Sequence, residues 1–270
     1  MSSNALSSGR LGSVRSPGGT LTAWLGAWLG GRTPADELLG AVQTTDLPQT
    51  VDGLPGEDDG APLVRLLAAV RACGPATVEL RLPVPGDADG LGPDVLRAAL
   101  EAGEAVVVTP DDVASTGLVL VPQPELRGNE VEPITGLRWL AMVPAARIAV
   151  GPAAPTRLRE AEILLDVALN DAIAELVDVG QVDQLSPEVM EAIGALRARR
   201  GPKLRLPPAS PPDAVRILVT AERLGTVVRL ASTDQPVTAV GDERRGRALR
   251  EVATAIRWTR RLAYTACAAG

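Results

Sequence analysis

PLVRLLAAVRACGPATVELRL, residues 62–82, is the stretch whose reading decides the fold. Pro62 opens it, Leu63, Leu66, Leu67 and Val70 recur at i, i+3, i+4 and i+7, and Gly74-Pro75 stops the pattern. That is the pattern of a helix with one buried stripe. The period then switches to two, with Val78, Leu80 and Leu82 alternating with Thr77, Glu79 and Arg81. Such alternation predicts a strand with one buried face. A helix that hands over directly to a strand places this region in a mixed α/β layer structure.

Working outward, Gly92-Pro93-Asp94 starts a second helix that carries Val95, Leu96, Ala99 and Leu100 and ends at Gly103. Ala105 to Val108, Gly117 to Val121 and Leu137 to Val143 read as three further strands. Upstream, Leu21, Trp24, Leu25 and Trp28 keep helical spacing, and Thr33-Pro34-Ala35-Asp36 offers the start of another helix. Residues 44–60, rich in Pro, Gly and Asp, read as a loop, and residues 1–19, rich in Ser and Gly, as a disordered tail. The expected front part is a small helix-covered sheet over residues 20–150.

Residues 144–156, rich in proline and alanine, suggest a hinge, and after it the chain reads as helical. One helix is expected from Thr156 to Val179 and another from Ser186-Pro187-Glu188, burying Val189, Ile193 and Leu196, to Gly201-Pro202. A third follows Pro212 through Ile217, Ala221, Leu224, Val228 and Ala231; its Val227 to Leu230 alone also fits a strand, but the long period favours helix. The last spans Asp242 to Ala268. Residues 151–270 are thus expected to form a bundle-like helical domain. The fold class is α+β or α/β in front, all-helical behind.

The stretches Leu82-Pro-Val-Pro-Gly-Asp87, Gly90-Leu-Gly-Pro93 and Ala99-Leu-Glu-Ala-Gly-Glu-Ala-Val106, with Ala214-Val-Arg-Ile-Leu and Ala221-Glu-Arg-Leu, carry a further signal. Through them most of residues 20–270 resembles an uncharacterised family of hypothetical proteins from high-GC actinobacteria. The resemblance implies a lineage; it implies no activity and carries over no site residues.

Composition limits the chemistry. The chain has no His and no Phe, one Lys and one Tyr, against abundant Arg, Ala, Gly, Pro, Leu and Val, the bias of GC-rich codons. Without imidazole there are no His-dependent triads, His-ligated metals or imidazole acid–base steps. Lys203 stands in Gly201-Pro202-Lys203-Leu204, without the glycine spacing or following Ser/Thr of a phosphate loop. No dinucleotide fingerprint follows a strand, and Cys73 and Cys267 lack CxxC partners, so no cofactor is indicated. Two reduced thiols and the absence of an 18-residue apolar run suggest a cytoplasmic protein without a membrane span. Arg10 and Arg15 before the apolar run Leu21 to Leu29 only loosely imitate a signal peptide.

Two surfaces remain as candidates. Asp87 and Asp89 follow the first predicted strand and Asp111 and Asp112 the second. If these strands ran parallel, all four acids would meet at one sheet edge, where Mg²⁺ or Ca²⁺ could bind as in a carboxylate-metal enzyme. The plainer reading is that Pro-Gly-Asp and Thr-Pro-Asp-Asp are turn sequences. Charge is also divided: residues 1–194 hold 12 Arg against 27 acids, a net of −15, whereas residues 195–270 carry +9. Arg197, Arg199, Arg200, Lys203 and Arg205 form one basic cluster, and Arg244, Arg245, Arg247, Arg250, Arg257, Arg260 and Arg261 line the last helix. These arginines either complement helix ends and acidic parts of the same molecule or meet a partner. The expected function is non-enzymatic, a binding or regulatory role through protein contact or self-association. Nucleic-acid binding is the weaker alternative, because the total charge is −6 and no recognition motif is present.

Overall fold

Ala105, Val106, Val107 and Val108 sit in a strand buried on both faces, and the rest of the front half is arranged around that fact. The computed structural model describes residues 16–43, 49–128, 133–151, 154–178, 204–233 and 239–270. Their elements in order are helices α1 (Pro17–Leu29) and α2 (Ala35–Val42), strands β1 (Gln49–Asp52) and β2 (Ala61–Pro62), helix α3 (Leu63–Ala72) and strand β3 (Ala76–Arg81). Helix α4 (Pro93–Ala102) and strands β4 (Ala105–Pro110), β5 (Leu118–Gly128) and β6 (Pro133–Met142) complete the front. Helices α5 (Ala154–Asp178), α6 (Pro212–Thr233) and α7 (Ala239–Ala269) follow.

The strands form one mixed sheet in the order β2-β1-β6-β5-β4-β3. Only β1 and β6 pair in parallel; every other pair is antiparallel. On one face Val78, Val106, Val108, Leu118, Leu120, Leu137 and Trp139 pack with Leu21, Trp24 and Leu25 of α1, Leu38 of α2 and Leu63, Leu66 and Val70 of α3. On the other, Ala105, Val107, Val119 and Val121 meet Leu91, Ile148 and the Val95 and Ala99 stripe of α4. The period-two alternation of β4 therefore feeds two cores, and each apolar side chain there is worth about 1.5–3 kcal/mol of burial.

Three local readings change. Residues 44–60 are not all loop, because Gln49–Asp52 forms β1; buried Gln49 donates to the Val42 carbonyl at 2.6 Å and accepts from the Trp139 indole at 2.8 Å. Helix α1 starts at Pro17, before the expected end of the tail: the Ser16 hydroxyl caps Gly19 N–H at 3.0 Å and donates to the Glu104 carboxylate at 2.5 Å. Strand β3 does not have one buried and one wet face, since Glu79 and Arg81 are buried together on the α4 side.

The chain divides into two units. The first comprises Met1–Pro152 together with Arg205–Ser210 and Tyr264–Gly270. These two distant pieces enter it through α1: the Arg205 carbonyl accepts from the Trp24 indole at 3.0 Å, and glycines leave room for the end of α7. A Cβ at Gly19 would stand 2.5 Å from the Tyr264 ring, and one at Gly26 the same distance from the Ala268 methyl. The second unit, Ala153–Leu204 with Pro211–Ala263, packs Leu165 and Ala172 of α5 with Ala221 and Leu224 of α6 and Ala248, Val252 and Ile256 of α7. Val227–Leu230 is helical, as the longer period required. The helix expected over residues 186–200 lies outside the described residues.

Candidate functional site

Strand direction settles what the four aspartates do. Because β3 and β4 are antiparallel, with Ala76 opposite Pro110 and Arg81 opposite Ala105, Asp87 and Asp89 leave one end of this pair and Asp111 and Asp112 the other. The convergence that a parallel pair would have produced does not occur. The Asp89 carboxylate accepts from Leu82 N–H at 2.7 Å and its own N–H donates to Asp87 at 3.0 Å, with Asp89 in the left-handed region at φ 49°. Asp112 caps Ala114 N–H at 3.0 Å. Each pair thus shapes a turn. Among the described residues no three carboxylates or thiols gather as a metal ion would require.

The basic candidates are also dispersed. Arg197, Arg199, Arg200 and Lys203 lie outside the described residues, and the side chains of Arg244 and Arg245 are likewise not described. Arg205 is exposed, Arg247 and Arg250 are exposed on α7, and Arg257 and Arg261 are half-buried. Arg260 donates to the buried Glu222 at 2.7 Å, and on the neighbouring helices Arg216 pairs with Glu162. Within the second unit part of the arginine excess is therefore spent on acids of the same unit.

A different place has the shape of a site. In the first unit a cleft of about 660 Å³ is bounded by the end of α1, the end of α7, Arg71 at the end of α3 and the start of β3 from Gly74 to Val78. This lies within the range of ~300–1,000 Å³ usual for small-ligand sites. Its charged lining residues are Arg32, Arg71 and Asp111. Arg32 donates to the carbonyls of Gly26 (3.3 Å) and Ala268, and so sits at the negative ends of two helices. The Arg71 guanidinium carbon lies over the Trp28 ring, 4.6 Å from its centre, and no hydrogen bond or ion pair engages the group among the described residues.

The backbone of β3 completes the cleft. Asp111 N–H donates to the Pro75 carbonyl at 2.8 Å, so the opposed pair Pro75/Asp111 is hydrogen-bonded. In an antiparallel ladder such pairs alternate with non-bonded ones. The bonded pairs are then Thr77/Thr109, Glu79/Val107 and Arg81/Ala105, while Ala76 and Val78 turn their N–H and C=O groups away from β4. Pro110, which has no N–H, falls in the non-bonded pair with Ala76, as the alternation demands. Since β3 ends the sheet, those outward groups have no strand beside them among the described residues. Further along, the outward N–H of Leu82 is taken by Asp89, which closes the edge at that end, and Val78 and Leu80 are buried, so Ala76 is the half-exposed residue of this edge at the cleft.

No residue-type pattern in the sequence marks this arrangement. The N-terminal domain model of the Rv1486c-like proteins matches residues 18–155 and the C-terminal domain model residues 159–261. The chain belongs to the Rv1486c-like family. Uncharacterized protein Rv1486c of Mycobacterium tuberculosis (strain ATCC 25618 / H37Rv) is 30% identical to it, with 93% of this chain and 96% of the relative aligned. Uncharacterized protein ML1804 of Mycobacterium leprae (strain TN) is 29% identical over 82% of this chain and 86% of its own. The actinobacterial resemblance noted in the sequence is thus a family relationship, and the relatives' descriptions name no activity. No solved structure matches this Rv1486c-like chain. Arg71 and the start of β3 both lie within the N-terminal family domain.

Proposed function

We propose that the protein is a non-catalytic binding protein of the cytoplasm that works by protein contact, taking an extended segment of a partner chain onto the open start of β3. The observation that carries this reading is the outward-facing backbone of half-exposed Ala76 at the start of β3, beside the 660 Å³ cleft. An unpaired strand edge accepts an extended peptide through main-chain hydrogen bonds, and pockets beside it read alternate side chains. Two unbridged cysteines, Cys73 and Cys267, are in keeping with a reducing compartment, and among the described residues no helix is long and apolar enough to cross a membrane.

Proline at position 76 tests the reading. Ala76 stands in a non-bonded pair with Pro110, so Ala76→Pro deletes an outward donor and leaves the β3–β4 ladder bonds in place. It is expected to weaken binding of an end-blocked, labelled extended peptide at least about tenfold, the cost of roughly one well-formed hydrogen bond, while the thermal midpoint stays near that of the parent. Peptide affinity unchanged in the variant removes the reading. The nucleic-acid alternative rests on exposed Arg247 and Arg250. Its test is a gel shift with random DNA and RNA at low salt, where Arg247→Gln/Arg250→Gln should abolish any retardation if those side chains hold phosphates.

A further inference from the structure

We infer that the segment taken up at the β3 edge is acidic, and that Arg71 receives one of its carboxylate side chains; this rests on the strand-addition reading and adds to it the chemistry of the partner.

Two guanidinium groups, Arg32 and Arg71, face one carboxylate, Asp111, among the residues that bound the cleft, so its lining is net cationic in a chain whose total charge is −6. The two arginines differ in what they have left to offer. Arg32 Nη2 is committed to the carbonyls of Gly26 and Ala268. Arg71 is held by the cation–π contact with Trp28, which consumes no N–H. A planar guanidinium placed in this way, with no hydrogen-bond partner among the described residues, matches a carboxylate through two parallel N–H···O bonds. The apolar remainder of the lining, from Leu29, Pro75, Val78, Ala268 and Ala269, suits the aliphatic side chains that alternate with the acid along an extended segment. A nucleic acid would use the cations but not the outward peptide groups of Ala76, so the two features together point to an acidic peptide.

The experiment uses the full chain and three end-blocked fluorescein hexapeptides, Thr-Val-Glu-Val-Thr-Ser and its Gln and Lys analogues at the third position, read by fluorescence anisotropy. The Glu peptide is expected to bind about tenfold more tightly than the Gln peptide, the usual margin of a charge-assisted over a neutral hydrogen bond. That margin should shrink as salt is raised, because Arg71 is exposed. Arg71→Gln should erase the difference and leave the Gln peptide's affinity unchanged, which a merely structural arginine would not do. If Glu and Gln peptides bind equally and Ala76→Pro weakens both, strand addition stands and the acidic specificity falls. If the Lys peptide binds best, the acidic specificity falls in the same way. If no peptide binds, or Ala76→Pro has no effect, both fall. If sedimentation shows a dimer that Ala76→Pro dissociates and peptides do not compete with, the edge belongs to a second copy and both fall.

Discussion

Arg81 and Glu79 hold a pair of full charges inside the first unit, with side chains 5% exposed each and 2.7 Å between Nη2 and Oε2. Arg81 also donates to the Ala149 carbonyl at 2.7 Å, and Glu79 accepts from Gly151 N–H at 3.0 Å, so the pair pins residues 149–151 against β3. The Arg81 Nε remains buried without a partner. Such a pair contributes little net stability, but removing one member strands the other charge. Arg81 also lies 3.9 Å from the carboxylate of Asp89, whose side chain is 8% exposed. Arg81→Met should therefore cost about 3–5 kcal/mol in urea unfolding, and the double change Glu79→Leu/Arg81→Met should recover only part of that loss, because Asp89 is left without its cation. A second residue responds to pH. Burial pushes the Cys267 thiol from 9.0 up to about 11, outweighing the opposing Ser210 hydrogen bond and Arg32 charge. Its pKa is higher folded than unfolded, so the neutral thiol's contribution is complete below about pH 9 and is lost as pH rises through about 11. Between those values the thermal midpoint of the parent should fall more steeply than that of Cys267→Ala.

At the scale of elements, the start of α1 depends on Glu104, which lies between the end of α4 and the start of β4. Glu104 accepts from the Ser16 hydroxyl and, at 3.0 Å, from Gly18 N–H, which satisfies an otherwise unpaired donor and places negative charge at a helix N-terminus. Glu104→Ala removes both bonds and should lower stability by about 1–3 kcal/mol, measurable by thermal unfolding. No local pattern announces this contact. The Ser-Pro-Gly-Gly run resembles tail because glycine usually signals freedom, whereas Gly19 is there so that Tyr264 can approach. What the chain did announce were elements with a period and a punctuation mark, such as α3 between Pro62 and Gly74 or α4 between Gly92 and Gly103. β1 escaped notice because four residues amid Pro, Gly and Asp are too few to establish alternation. Glu79 and Arg81 give a solvent-facing pattern, because a buried ion pair alternates with apolar residues just as exposed charges do. The cleft was illegible for a deeper reason: neither the direction of β4 relative to β3 nor the place of β3 at the sheet's end is encoded in either strand.

For the molecule as a whole, the sheet's two ends are handled differently. At one, β2 is only two residues long and contains Pro62, a blunt edge that invites no pairing. At the other, β3 is six residues long, closed by Asp89 at its end and open at its start. The core behind that open start is itself assembled from three stretches of chain, since the first unit includes Arg205–Ser210 and Tyr264–Gly270. Tyr264 is 2% exposed and Cys267 1%, and both are lost if the chain is cut after the last strand of its mixed α/β part. A fragment ending at Pro152 would uncover the faces of α1 at Gly19 and Gly26 and leave the Trp24 indole without the Arg205 carbonyl. Removing one large and several small buried side chains at about 25 cal/mol per Å², with one hydrogen bond, costs about 3–6 kcal/mol. That is a large share of the ~5–15 kcal/mol by which domains are stable. The fragment should therefore unfold at markedly lower urea than the full chain and bind a hydrophobic dye. Adding back a peptide of residues 258–270 should raise its midpoint if Tyr264 and Cys267 supply the missing contacts. A fragment as stable as the whole would mean that the α1 surface facing Tyr264 needs no cover.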